Sequence, residues 1–180
     1  MILNGFVLIN TCNLIKMNNK ENFKCFNIKS LNFQHKILDA SINIWTENIE
    51  NPTIYDIVEN KKYEFQGKYE VFFLEYHDET GNSLKNYSDR IGSAFYGLCI
   101  KIEQIELKLL IKGCVLSNYI IPRLQYSIYT THLTLGKRID KEFVRINLFD
   151  PEEDVNQIAT VQEQKAYYNQ WLKSIEGLPY

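Results

Sequence analysis

Apolar and polar positions alternate along much of this chain with the period of two that marks a strand. In residues 38–46, Ala40, Ile42 and Ile44 interleave with Ser41, Asn43 and Trp45. Residues 22–30 place Phe26 and Ile28 opposite Cys25 and Lys29. Residues 68–77 carry Tyr69, Val71 and Phe73 on one face and Phe72, Leu74 and Tyr76 on the other. Two apolar faces predict a central strand covered on both sides. The following DETGN, residues 78–82, is turn chemistry, with Gly81 free to take a positive φ. Shorter candidate strands lie at 5–10, 124–135 and 143–148.

Helical spacing arises in three places. Asn51 and Pro52 supply a cap and a proline at the first helical position. Ile54, Ile57 and Val58 follow, which predicts a short helix over 52–59. Asp150, Pro151, Glu152 and Glu153 have the same cap, proline and first-turn acids. Thr160 and Glu163 form a possible capping box, and Val161, Tyr168, Trp171 and Ile175 then share one stripe until Gly177 and Pro179. These signals predict a C-terminal amphipathic helix over about 150–176.

Residues 93–102 fit both periods. Ala94, Tyr96, Leu98, Ile100 and Ile102 alternate with Phe95, Cys99 and Lys101, but Ile91, Phe95, Leu98, Ile102, Ile105 and Leu109 also fit a heptad. Gly92 and Gly97 would each cost a helix about 1 kcal/mol relative to Ala, and the aromatic and β-branched residues favour a strand. The balance predicts a strand over 93–102, then a helix from Glu103 that Pro122 stops. Together these elements predict one α+β domain over residues 1–180. It has a mostly antiparallel sheet with a central strand covered on both faces, a mid-chain helix and the C-terminal helix.

At 180 residues and 45% apolar content, the chain is long enough to bury a core without staples. Its net charge of −2 gives no bulk attraction to nucleic acid. Lys16, Lys20, Lys24, Lys29 and Lys36 crowd the first third, whereas Asp150, Glu152, Glu153 and Asp154 crowd the end. The four cysteines, Cys12, Cys25, Cys99 and Cys114, form no CxxC pair, which suits reduced thiols in a cytoplasmic protein rather than a metal site or a disulfide scaffold. No run approaches the roughly 18 apolar residues of a membrane span.

The stretch NYSDRIGSAFYG, residues 86–97, is the sharpest candidate for chemistry. Leu98 and Cys99 follow Gly97 where a phosphate loop needs Lys and Ser or Thr, so no P-loop is present. Arg90 has the planar fork that grips a carboxylate or phosphate, or it pairs with Asp89 or Asp78 at the surface. Cys99 with His77 or His132 and Asp89 would make a thiol hydrolase on paper, although Cys99 lies in an apolar pattern. Twelve Tyr and ten Phe offer anchors for an interface.

The expected function is therefore non-catalytic recognition of another protein, with no cofactor, metal, nucleic acid or membrane. Bacterial conflict is the expected setting, as a toxin-immunity protein or an interaction or sensing module of an antiphage system. The expected contact residues are Tyr87, Asp89, Arg90, Ser93 and Tyr96, with Asp150, Glu152 and Glu153. The alternatives are a small-molecule or nucleotide-binding module, with the turn at Gly92 and Gly97 at its pocket, and a cryptic thiol hydrolase.

Overall fold

The computed structural model describes residues 21–178; the expected strand at 5–10 and Pro179 lie outside them. Five antiparallel strands form the main sheet in the order β6-β5-β2-β1-β7, where β1 is Glu21–Asn32, β2 Ile37–Glu50, β5 Lys68–Asp78, β6 Ser83–Ser88 and β7 Leu107–Leu109. A hairpin of β3 (Thr53–Asp56) and β4 (Lys61–Glu64) stands between β2 and β5 in the chain. A small sheet of β8 (Asn118–Tyr119), β9 (Tyr129–His132) and β10 (Ile146–Asn147) follows, in the order β10-β9-β8. The two helices are α1, Ile91–Glu103, and α2, Val161–Ser174. The α+β class with a mostly antiparallel sheet holds.

The alternation within β2 and β5 gives the sheet two different faces. Ile42 and Ile44 with Leu74 and Tyr76 bury one face against Ala94, Phe95, Leu98 and Ile102 of α1. Trp45, Val71 and Phe73 form a second cluster on the other face. The strand at 68–77 is thus apolar on both sides, as its pattern predicts, although β2 is the middle strand. Tyr76 reaches Ser30 Oγ at 2.8 Å and donates to Asp78 Oδ2 at 3.0 Å, so its buried hydroxyl is satisfied. Asp78 in turn accepts from the backbone of Thr80 and Asn82, with Gly81 at φ +92°, which closes the expected turn.

Four expectations are corrected. Residues 93–102 are helix, not strand: α1 is buried nearly all round, so neither period could dominate its pattern. Its glycines serve close approach. A Cβ on Gly97 would lie 3.0 Å from Asn86 Cγ, and Asn86 Nδ2 donates to Ala94 O at 3.0 Å, which stitches β6 to the helix. The helix expected from Glu103 to Pro122 is absent. Glu106 takes a positive φ of 60°, which breaks the coil, and β7, two 3-10 turns and β8 follow.

Residues 52–59 form the strand β3 and a turn, not a helix. Asp56 Oδ1 accepts from the N–H groups of Val58 and Glu59 at 3.0 and 3.1 Å, a local turn that competes with helix. Residues 150–157 do not begin the last helix. Pro151 bridges to Ile111, and Lys112 N donates to Asp150 O at 2.8 Å, which holds this segment extended. The helix starts at Val161 on the expected capping box: Glu163 N donates to Thr160 Oγ1 at 3.2 Å and Thr160 N to Glu163 Oε2 at 2.7 Å. The stripe of Val161, Tyr168, Trp171 and Ile175 packs inward, and Gly177 at φ +75° follows the end.

Gln164, on the same helix, is 1% exposed. Its Nε2 lies 2.9, 2.8 and 3.0 Å from the carbonyls of Gly113, Val115 and Asn118. One amide therefore fastens α2 to the irregular segment that replaces the expected helix. The strand expected over 124–135 survives only as β9, and that over 143–148 only as β10.

Candidate functional site

A cleft of about 160 Å³ opens where four parts of the chain meet. The turn after β3 contributes Asp56, Val58 and Glu59, and the first turns of α1 contribute Arg90, Gly92, Ser93 and Tyr96. The segment 119–125 and Tyr168 of α2 complete it.

Arg90 sits at the N-cap of α1 with extended dihedrals, φ −128° and ψ 131°. No side chain caps the helix; instead Gly92 N donates to Gln125 O at 3.0 Å. A Cβ on Gly92 would approach Ile120 Cγ2 to 3.1 Å, so the helix start lies close against 119–125. The Arg90 guanidinium is held among oxygens: Asp56 Oδ2 at 3.5 Å, Asp89 Oδ1 at 3.7 Å and Gln125 Oε1 at 3.3 Å. Asp56 is nearly buried, with its other oxygen committed to the turn. These contacts are longer than the 2.7–2.9 Å of strong charge-assisted bonds. They neutralise Arg90 without saturating it, and its Nε makes no hydrogen bond among the described residues.

The second wall is aromatic. Tyr96 and Tyr119 lie 5.4 Å apart, Tyr119 and Tyr168 4.2 Å apart and 10° from parallel, and Tyr168 and Trp171 5.8 Å apart. Stacking occupies the faces of Tyr119, so its edge and hydroxyl are what remain for a ligand. Tyr96 Oη accepts from Ile120 N at 3.0 Å. Burial pushes the Tyr96 hydroxyl well above its ordinary pKa. Burial first, then the nearby Tyr168 and the negative charge of Glu59, push Tyr119 up to about 12. Burial also raises Tyr168. All three hydroxyls therefore stay protonated and neutral around pH 7.

Glu59 is exposed and accepts from Tyr63 Oη on one oxygen at 2.6 Å; its Oε1 has no hydrogen bond among the described residues. Asp56 and Asp89 flank the Arg90 guanidinium, and Glu59 lines the same cleft. The site is acidic, rich in acceptors and walled by tyrosine.

Of the expected contact residues, Arg90, Ser93 and Tyr96 line this cleft and Asp89 backs Arg90. Tyr87 does not join them. Register places it opposite Phe73, on the sheet face away from α1, with ring centroids 5.4 Å apart. Asp150, Glu152 and Glu153 belong to the segment beside Leu110 and Lys112. There Glu152 accepts from Lys112 Nζ at 2.6 Å and from Asp154 N at 2.9 Å, and the Lys112 bond above all, then that from Asp154 N–H, holds its carboxyl below the usual range. Asp150 and Glu153 are exposed.

Asp56, Glu59, Tyr119, Gln125 and Tyr168 are cleft residues that the sequence pattern did not flag. Asp56 and Glu59 sat inside a false helix, and Tyr168 read as core. Only the Asp-x-Val-Glu order of a side-chain-capped turn could have signalled the first two.

Cys99 is buried beside Cys114, with sulfurs 3.9 Å apart, and burial pushes its thiol far up. A protonated, enclosed thiol whose polar neighbour is another thiol is a packing group rather than a nucleophile. Ser117 Oγ and Asn118 Oδ1 both approach the same nitrogen of His132, Nδ1, at 3.1 and 3.4 Å. Among the described residues no three His, Cys, Asp or Glu side chains gather as a metal site, and no helix is long and apolar enough to cross a membrane. Comparison of the chain with protein-family models and with curated proteins finds no match.

Proposed function

We propose that this chain is a non-catalytic recognition domain that binds another protein by taking one of its side chains into the α1 cleft. The observation that supports this is the size of the cleft together with its lining. Pockets for drug-sized ligands span roughly 300–1,000 Å³, and this one is about 160 Å³. A nucleotide is too large for it, while a single side chain is not. Interfaces concentrate their binding energy in such anchors, seated in a pocket ringed by near-neutral contacts. Tyrosine walls suit the role because they offer rigid area with a polar edge. Exposed Tyr55 and Tyr126 supply further amphipathic surface. A toxin-immunity or antiphage-sensing role in a bacterial cytoplasm is the setting we attach to this binding, in keeping with Cys99 and Cys114, whose sulfurs lie 3.9 Å apart without a disulfide.

The test is a nuclear magnetic resonance titration of the full chain with the twenty amino acids, each capped at both ends. Saturable shifts confined to the amides of Ser93, Tyr119, Gln125 and Tyr168 are expected for at least one probe. Filling the cleft with Ser93→Phe should abolish them. A set of twenty probes that leaves those amides unmoved ends the proposal.

A further inference from the structure

We infer that the side chain this cleft accepts is basic, an arginine or lysine presented by the protein partner. The inference rests on the recognition reading above and adds the charge of the anchor.

Charge decides the class. Asp56, Glu59 and Asp89 face or back the cleft, and Arg90 is the cation among them. The start of α1 adds about half a positive charge at most, and Gly92 N–H is already spent on Gln125 O. The three carboxylates outweigh Arg90 and the helix end together, so the field inside favours a cation. Arg90 does not block it, because Asp56, Asp89 and Gln125 hold the guanidinium against the wall.

Acceptors are also in place. Glu59 Oε1 carries no hydrogen bond, and the hydroxyls of Tyr119 and Tyr168 carry none among the described residues. A guanidinium or ammonium brings only donors, which matches these free oxygens. An entering carboxylate would meet Glu59 and Asp56 in a partly desolvated site, where like charges repel more strongly than in water. An apolar side chain would strip water from Glu59 without replacing its hydrogen bonds.

The experiment uses the full chain and the doubly capped probes. Capped arginine and lysine should saturate the cleft amides at least about tenfold more tightly than capped norleucine. Binding should weaken at high salt. Glu59→Gln, at an exposed position that leaves the fold intact, should weaken the basic probes by about fivefold or more and narrow or abolish their advantage over norleucine. Tyr168→Phe, which keeps the stack and removes one oxygen, should act in the same direction.

Capped glutamate binding the cleft as tightly as capped arginine overturns the inference, yet leaves the one-side-chain socket standing. Silence from all twenty probes removes the socket itself. Putrescine binding about tenfold more tightly than capped lysine overturns the partner-borne source in favour of a free amine.

Discussion

Trp45 on β2 and Phe73 on β5 face each other directly across the sheet, with ring centroids 5.4 Å apart and planes 9° from parallel. Tyr87 on β6 extends the row, and Lys85 Nζ lies 4.7 and 4.6 Å from the Trp45 and Phe73 rings. Cross-strand aromatic pairs are a unit of sheet stability. Phe73→Ala should cost about 3–5 kcal/mol by cavity and transfer terms. Lys85→Met, which removes the charge above the rings, should cost about 1 kcal/mol or less. Urea midpoints at constant m-value check both.

Gly97→Ala separates propensity from packing. An exposed helix position would gain about 1 kcal/mol from the change. Here the new methyl meets Asn86, which is buried and bonded to Ala94 O. The variant should lose stability, and Asn86→Ala in the same chain should recover part of the loss. The double-mutant cycle reads the coupling; two additive single changes would show that the Asn86 contact is not the cause.

Gln164→Leu keeps the volume of a buried side chain but leaves three carbonyls facing an apolar group. Val115 O keeps its bond from Asn118 N at 3.0 Å, whereas an acceptor left without a donor costs about 1–3 kcal/mol, so a loss of about 1 kcal/mol or more is expected. Hydrogen exchange should quicken first in α2, the element that this amide ties down.

Acid should weaken the fold through Glu152. The bond from Lys112, then that from Asp154 N–H, lowers its pKa in the folded chain. A lowered carboxylate contributes stability above its unfolded value, near 4.3, and loses it as pH falls through the folded value. Glu152→Gln should therefore be less stable than the parent at pH 7 and converge with it well below pH 4. Thermal melts across that range check the sign; a gap that widens on acidification would contradict it.

The three long strands of the sheet were legible because β1 and β2 alternate apolar and polar residues over much of their length, while β5 carries an apolar run covered on both faces. The capping box at Thr160 and Glu163 was legible because it is a local bond pattern that tertiary contacts leave alone. Helix α1 was not legible. Ile91, Ala94, Phe95, Tyr96, Leu98, Cys99 and Ile102 are all buried, so no polar face marks its turn, and the glycines that argued against a helix serve contacts with Ile120 and Asn86. Asp150 and Pro151 mimic a helix start, but pairing with Leu110 and Lys112 over a long sequence separation overrides local propensity. Half the cleft was hidden for a related reason. Arg90 and Ser93 were visible as polar residues near glycine, whereas Asp56, Tyr119 and Tyr168 acquire meaning only once distant segments meet.

The walls of the cleft come from a hairpin turn, a helix start, an irregular strand end and the last helix. No short contiguous peptide cut from this chain carries them all. Trimming away α2 removes Tyr168 and exposes one flank of Tyr119, so the cleft would lose a wall while the five strands of the main sheet lie outside the cut. On the recognition reading proposed above, competence to bind would be an assembly signal, given only by molecules whose last helix has docked.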